Sequence, residues 1–575
     1  LEWIVVRPKE LFLESKYIER AIKSTRRAFQ LDSISTKLIN PNSNITKRDL
    51  ELGKSTLKNI RLWDSQPLLA TNRQLQQLRV YYHFSNISVD RYQLSKDKNQ
   101  RQQVMISARE IDHRRLPLNS QSWLNKHFVF THGYGFTVSP VNSKAKDGLP
   151  EYFISDLGTS TKIQGSRLLG IDKKKVSDSI PIGDAGIYFG NFTSPFAIAP
   201  TTIKELDYPE GDKNIFNHYK GLGGIPLNNL WKRIIVSVYL REPRILNTGV
   251  LNSSSKLITR RQIKKRIQHI APFIELIGEP YLISTRVDSK NTKYSKSQYQ
   301  YWIVEGYTSS YTYPYSEKLS LHKNYRYIRN SVKIVVDAYN GKIFFYTNEL
   351  NDPIIQGWSK VFPGLLEDIL EMPSNIRKHL KVPTEMFKYQ VSQLLKYHVT
   401  NPRTFYNGDD IWEVPKELYG KRQIPVEPYH VTAQLSNATQ TEFLLLQPLS
   451  PLARPSLSAW LAARNDGVNY GDLVLLRFPS ETTFFGPEQI QALINQDPDI
   501  SQQFSLWDRA GSEVIQGNLL VLPLGNSLLY VEPVYLKATK GGLPTLTRIV
   551  VSDGKRIAME EDLQSGILNL LNQKD

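Results

Sequence analysis

Apolar positions recur at helical spacing over 15–31, where Tyr17, Ile18, Ala21, Ile22, Ala28 and Phe29 share one side and Arg20, Lys23, Arg26 and Arg27 the other. That pattern predicts an amphipathic helix. Pro67 suits a first helical position, and Leu68, Leu75, Leu78 and Tyr82 continue at helical spacing, so a second helix is predicted there. The period then shortens to two. Segments 86–94 and 103–109 read as strands joined by the polar loop 95–99, with Val104, Ile106 and Ala108 alternating with Gln103, Met105, Ser107 and Arg109. Over 147–226 the glycines at 183, 186, 190, 221, 223 and 224 break any period, and the stretch reads as a loop-rich insertion.

Helical character returns over 227–240, and 253–270 carries the basic run Arg260-Arg261 and Lys264-Lys265-Arg266. Strands are predicted at 301–307, 332–337 and 343–346. Asn340-Gly341 between the last two is a hairpin signal, because a type I′ turn needs positive φ at both central residues. Two helices follow, over 373–380 and over 384–398 with Thr384 as its cap. Beyond 429 strands alternate with short helices. Segments 442–447 and 473–478 read as strands, and 487–494 and the run from Asp497-Pro498 toward Trp507 as helices that start on proline. Segments 518–524 and 527–532 form a hairpin around Gly525-Asn526.

These elements predict a mixed α+β chain of several units, with mostly antiparallel sheets and flanking helices. A length of 575 residues suits about three units. We place them at 1–250, containing the loop-rich 147–226, at a basic and tyrosine-rich 251–399, and at 400–575.

Charge sharpens this division. The formal net charge is +18, but 251–350 holds sixteen Lys and Arg against seven Asp and Glu, whereas 441–575 holds ten against fifteen. The chain has no cysteine, which excludes disulfides, thiolate nucleophiles and cysteine-ligated metals. No stretch reaches the ~18 uninterrupted apolar residues of a membrane span. The chain opens at Leu1 without the charged and apolar regions of a signal peptide, and a further segment is expected to precede it.

Motifs that carry chemistry are few. Gly53-Lys54-Ser55-Thr56 imitates the end of a phosphate loop, but Arg48 stands where the first glycine is required. There is no G-x-S-x-G elbow, no H-E-x-x-H and no EF-hand loop. We therefore expect no metal and no cofactor. The candidate polar site is Arg109 and Glu110 with His127 and His132, the two histidines lying near the glycine-flanked Tyr134. Five residues apart on an extended strand, the histidines face opposite ways and cannot share one ion. Structural histidines and a site both remain open. The candidate binding surface combines Tyr311, Tyr313 and Tyr315, which share a face if extended, with Arg326, Arg329, Lys264, Lys265 and Arg266. Tyrosine's apolar body and polar tip suit sugars, lipid headgroups or peptides, and equally a sheet packed on its own domain.

Several of these blocks also carry a resemblance. Trp63-Asp64-Ser65-Gln66-Pro67-Leu68-Leu69, Ser107-Ala108-Arg109-Glu110, Thr131-His132-Gly133-Tyr134-Gly135 and Ser139-Pro140-Val141-Asn142 resemble the uncharacterised protein family UPF0182. So do Tyr313-Pro314-Tyr315-Ser316, the run from Ile328 to Lys333 with Asp337-Ala338-Tyr339-Asn340-Gly341, Phe362-Pro363-Gly364, Trp460 to Arg464, Asp497-Pro498 and Gly517 to Val521. The resemblance implies a chain that follows several N-terminal transmembrane helices and sits on the extracytoplasmic side of a membrane. The glutamine-rich 495–503 is similar to cyanobacterial members, for which that side is the periplasm or the thylakoid lumen. It implies no catalytic residues. The expected function is non-catalytic, in binding an envelope component or assembling with a membrane complex. The partner would be a protein or anionic lipid. A hydrolase-like envelope enzyme acting on glycan, lipid or peptide is the alternative, and nucleic acid is an unlikely partner.

Overall fold

The computed structural model describes residues 9–95, 100–287, 293–294, 297–319, 324–435, 440–509 and 511–573. The expectations made for 1–8 and for the loop 96–99 lie outside the described residues. Among the described residues three six-stranded sheets and one five-stranded sheet, mostly antiparallel, carry helices on their faces and edges. The fold is α+β. No helix among the described residues is long and apolar enough to cross a membrane.

The N-terminal sheet is built on Gln102–Ile111, which pairs with Ser88–Tyr92, Tyr82–Phe84 and Phe136–Pro140. Its alternation is the one the sequence predicts, yet every residue of the strand is buried. Both faces are covered: Val104, Ile106 and Ala108 pack into a core shared with the middle of the chain, and Met105 into a core shared with the C-terminal sheets. The polar residues of the second face are satisfied inside. Gln103 donates to Thr432 Oγ1 at 2.6 Å and Ser107 to the Asn86 carbonyl at 2.6 Å.

The middle sheet runs in the order Glu275–Leu276, Gln300–Ser310, Tyr327–Asp337, Ile343–Thr347, Leu366–Asp368, with Tyr281–Ser284 also on Gln300–Ser310. Trp302, Val304, Ile334 and Val336 face the N-terminal sheet, while Tyr301, Ile303, Val335 and Tyr346 face Met372, Ile376 and Leu380. Across the C-terminal sheet the same division repeats. Leu444, Leu446, Trp460 and Val474 meet the five-stranded sheet, and Leu445, Leu449, Leu461 and Leu475 meet Phe387, Val391 and Leu394 of the helix Thr384–Tyr397. The cores thus join residues on both sides of positions 250 and 400.

The first helix, Glu10–Ala28, lies on the middle region, where Ile22 and Ala28 pack with Tyr307, Tyr325, Tyr327 and Tyr389. Arg329 closes its C-terminus by donating to the Arg27 and Ala28 carbonyls, the groups a helix end leaves without partners. The second helix differs from its predicted extent. It covers Ser65–Thr71, widens into a π turn at Asn72–Gln76 and gives way to the strand Tyr82–Phe84. Leu78 takes positive φ (62°), which breaks the helical path.

The block Trp63-Asp64 is a bolt between the N- and C-terminal regions. Asp64 Oδ2 accepts from the Asn518 backbone at 2.9 Å, and the Asp64 N–H donates to Tyr535 Oη at 2.8 Å. Gly517 is required there, since a Cβ at that position would lie 2.5 Å from Asp64 Oδ2.

The hairpin at Gly525-Asn526 forms as predicted, with Leu524 opposite Ser527. The one at Asn340-Gly341 forms differently. Its strands end at Asp337 and resume at Ile343, and only Gly341 of the pair has positive φ. The Asp337 side chain accepts from the Tyr339 and Asn340 backbones, which builds a longer loop in place of a type I′ turn. Thr384 is the first residue of its helix, without a side-chain cap bond, and Pro383 takes the cap position. Segment 373–380 holds only one helical turn, Ser374–Arg377.

Candidate functional site

Arg109 and Glu110 are neighbours on a strand, so they leave it on opposite faces. Arg109 is fully buried and donates to the carbonyls of Gln76 (2.8 Å), Tyr134 (3.2 Å) and Asp156 (3.3 Å). Glu110 is also fully buried. One of its oxygens accepts from the backbones of Asn191 (2.6 Å) and Phe192 (3.1 Å), and burial pushes its carboxyl up to about 7. Gly190 makes this approach possible, because a Cβ there would sit 2.0 Å from Glu110 Oε2. Gly133 does the same for the backbone: its Cβ would lie 2.4 Å from the Arg109 carbonyl oxygen. The glycines of the block 131–135 therefore serve close packing against the strand.

His127 and His132 are not on one extended strand. His127 lies in the π turn Asn125–Val129, stacked 3.9 Å from the ring of Phe196, with Nδ1 3.0 Å from the Phe196 carbonyl. His132 precedes the strand Gly133–Tyr134 and is stacked 4.3 Å from Tyr188. Its Nδ1 is 2.8 Å from Thr131 Oγ1 and its Nε2 is 3.1 Å from Asp207 Oδ1. Thr131 and Tyr188 both donate their hydroxyl protons to Glu205. The Thr131 hydroxyl thus links His132 Nδ1 to Glu205, while Nε2 faces the Asp207 carboxylate.

Arg261 closes the cluster, donating to the carbonyls of Tyr188 (2.9 Å) and Thr131 and to Ser194 Oγ (2.7 Å). Burial lowers its guanidinium to about 10. Among the described residues no group of three His, Asp or Glu has the arrangement of a metal site. Chemically this is a closed ionic network, and neither histidine nor Arg109 nor Glu110 lines any of the three clefts named below.

Glu205, Asp207 and Tyr188 fall in the segment read as loop-rich. That reading is corrected in part. Glu205–Glu210 and Lys213–Asn217 form a hairpin around Gly211, and Phe196–Ala199 pairs with Lys256–Thr259. The period-two run Glu205-Leu206-Asp207-Tyr208 was the available signal.

The candidate binding surface divides. Tyr311, Tyr313 and Tyr315 follow the end of Gln300–Ser310 and do not continue it as a strand. Tyr311 stacks on Tyr325 and Tyr313 on Tyr327, while Tyr315 is half exposed beside Arg20. Arg326 donates to the Ser316 carbonyl. Arg329 is buried as the cap of the first helix, because those carbonyls need a donor. Lys264 pairs with Glu279 at 2.8 Å and Lys265 is exposed. Arg266 is half-buried, donates to the Gly341 carbonyl at 2.8 Å and lies over Phe189. Buried tyrosines dominate the region as hydrogen-bonding core, as in Tyr327 with Asp352 and Tyr294 with Tyr346.

Arg266 leads to a feature that the sequence reading passed over. It lines a groove of about 580 Å³ with Phe189, Ile225, Lys232, Val236, Tyr239 and Arg260, beside the helix Leu230–Leu240. Asn229 caps that helix through Lys232 N at 2.9 Å, and Arg241 ends it in the left-handed conformation. Val236 and Ser237 face inward. Trp231, Ile235 and Val238, at i, i+4 and i+7, face outward with 75 %, 65 % and 73 % of their surfaces exposed. Two further clefts mix charged and apolar walls. One of about 300 Å³ is lined by Arg91, Arg101, Arg286, Lys378 and His379, and one of about 530 Å³ lies between Ile270, Lys342 and Glu367.

Residues 1–507 match the model of an uncharacterised protein family, UPF0182. The chain is 65% identical over 572 residues to a UPF0182 protein of Prochlorococcus marinus (strain MIT 9303), covering 100% of this chain and 60% of the relative. It is 61% identical to one of Synechococcus sp. (strain CC9311), covering 99% and 61%. It is 45% identical to one of Microcystis aeruginosa (strain NIES-843 / IAM M-2473), covering 100% and 59%. The chain thus spans about 60% of the length of these relatives. No solved structure matches it.

Proposed function

Because the chain belongs to the uncharacterised protein family UPF0182, we propose that it is the water-exposed, non-catalytic part of a larger membrane-anchored protein, on the extracytoplasmic side, and that it holds a component of the envelope. One observation supports this reading: the side chains of the candidate polar site are committed to partners inside the fold. Arg109 is held by three carbonyls, Glu110 by two backbone N–H groups and His132 by Thr131 and Asp207. A catalytic group must reach the atom it acts on, and neither these three residues nor His127 line any of the three clefts. Around the helix Leu230–Leu240 the molecule offers apolar and cationic surface outward, which suits holding more than transforming.

The location is tested on the full-length protein in a cyanobacterium. Protease added to the outer face of permeabilised cells, or to opened thylakoids, should degrade this part while a cytosolic marker stays intact. Protection equal to that of the marker, or recovery of the full-length protein free in the cytosol, overturns the reading.

A further inference from the structure

The helix Leu230–Leu240 lies on the surface and carries its charged residues, Lys232 and Arg233, in the first turn, so most of its remaining length is apolar on the outer side as well as the inner one. Its inner side is accounted for by Val236, which joins Phe128, Phe196, Leu227 and Leu257 in a small core. The outer side carries Trp231, Ile235 and Val238 in one narrow stripe, flanked by Leu230 and Tyr239, each more than 60 % exposed. Ile225, in the short strand Ile225–Pro226 that also lines the groove, is 48 % exposed, so the apolar surface continues beyond the helix.

Length and charge identify what covers it. At ~1.5 Å per residue the 11 residues of this helix reach about half of a ~30 Å hydrocarbon layer, so the helix is too short to span and suited to lie flat. The groove beside it is lined by three cations, Lys232, Arg260 and Arg266, and by no carboxylate among the described residues. Arg260 is held toward Tyr239, with Nη2 3.2 Å from the hydroxyl, and Arg241 stands exposed at the helix end. Glu242, the carboxylate that follows, is engaged by Arg244 at 2.8 Å. Aromatic residues with an apolar body and a polar tip, together with long cationic side chains, are what an interfacial helix presents to headgroups.

We propose that the Leu230–Leu240 face docks on an anionic lipid surface, with Trp231, Ile235 and Val238 inserted below the headgroups and Lys232, Arg260 and Arg266 drawn toward lipid phosphates. This inference rests on the membrane-tethered reading above and adds the surface by which the domain lies against the bilayer. It also moves the lipid contact away from the tyrosines at 311–315, two of which stack on Tyr325 and Tyr327 of their own region.

The test uses the 575-residue chain with vesicles of phosphatidylcholine alone or mixed with phosphatidylglycerol, at low ionic strength. The expected result is sedimentation with the mixed vesicles, quenching of tryptophan fluorescence by bromine-labelled acyl chains, and loss of that quenching in Trp231→Phe. The double variant Ile235→Asp/Val238→Asp, both sites being exposed, should fold normally by circular dichroism and bind about tenfold more weakly. Arg260→Glu should weaken binding about tenfold for the mixed vesicles and leave that for neutral ones unchanged. Equal binding of wild type and double variant overturns the helix as the contact and leaves the location reading standing, because protease accessibility is measured separately. Absence of vesicle binding, with light scattering showing a dimer that the double variant dissolves, overturns the lipid surface in favour of a second copy.

Discussion

The cluster around His132 and the face of Leu230–Leu240 invert the usual relation between polarity and burial. In the first, His132, Glu205 and Arg261 are within 1 % of complete burial, each with hydrogen-bonded partners. In the second, a tryptophan and two β-branched residues stand in water. A buried charge is retained only where partners replace water, and an exposed apolar stripe carries no such internal explanation. The first region is therefore explained by the fold itself. The second is explained by something outside it.

Substitutions should separate the two regions sharply. The largest effect is expected at Gly133, where a Cβ meets backbone of Arg109 and Glu110 at 2.4 and 2.7 Å and neither can swing away. Gly133→Ala should lower stability by about 3 kcal/mol in urea titration, and a loss below a few tenths would show that the strand yields to its neighbour.

A middle-sized effect belongs to Glu110 and is read against pH. Burial pushes its carboxyl to about 7, above the 4.5 of an ordinary glutamate. The folded chain therefore holds a proton through that interval which the unfolded chain has released. Its stability contribution is fully present below the unfolded value and is lost as pH rises through the folded one. Glu417 and Glu532, raised by burial to about 7 and about 8, act in the same direction. Glu110→Gln keeps an acceptor for Asn191 and Phe192, and its stability relative to wild type should improve by about 2 to 3 kcal/mol between about pH 5 and pH 8. A constant difference across that range would place the titrating proton elsewhere.

The smallest effect is expected on the exposed helix. Ile235→Ser should change stability by less than about 0.5 kcal/mol while Ile267→Ser, fully buried, costs several times more. A large loss at Ile235 would mean that the face is already covered in the isolated chain.

Periodicity gave most strands and the long helices within a few residues, because local alternation and proline or glycine punctuation act over short range. The helix over 384–397, the hairpin at Gly525-Asn526 and the strand over 102–111 are of this kind. Burial on both faces was not legible. Gln103, Ser107 and Arg109 look like a solvent edge until Thr432, Asn86 and Gln76 arrive from elsewhere in the chain. The same holds for the candidate site. The sequence marks His132 as a candidate, but its partners Glu205 and Asp207 lie more than seventy residues away in a glycine-broken stretch. The helix over 230–240 was legible as a helix. The clue in its sequence is the apolar Ile234-Ile235-Val236 followed by Val238-Tyr239-Leu240, which covers more than one side of the helix.

Arg329 gives the first helix a rigid seat. By gripping the last carbonyls of Glu10–Ala28 from within the central strand Tyr327–Asp337, it fastens a rod ~28 Å long directly to the middle sheet. A tilt of that rod would therefore reach the interior through this one guanidinium as torque on the sheet.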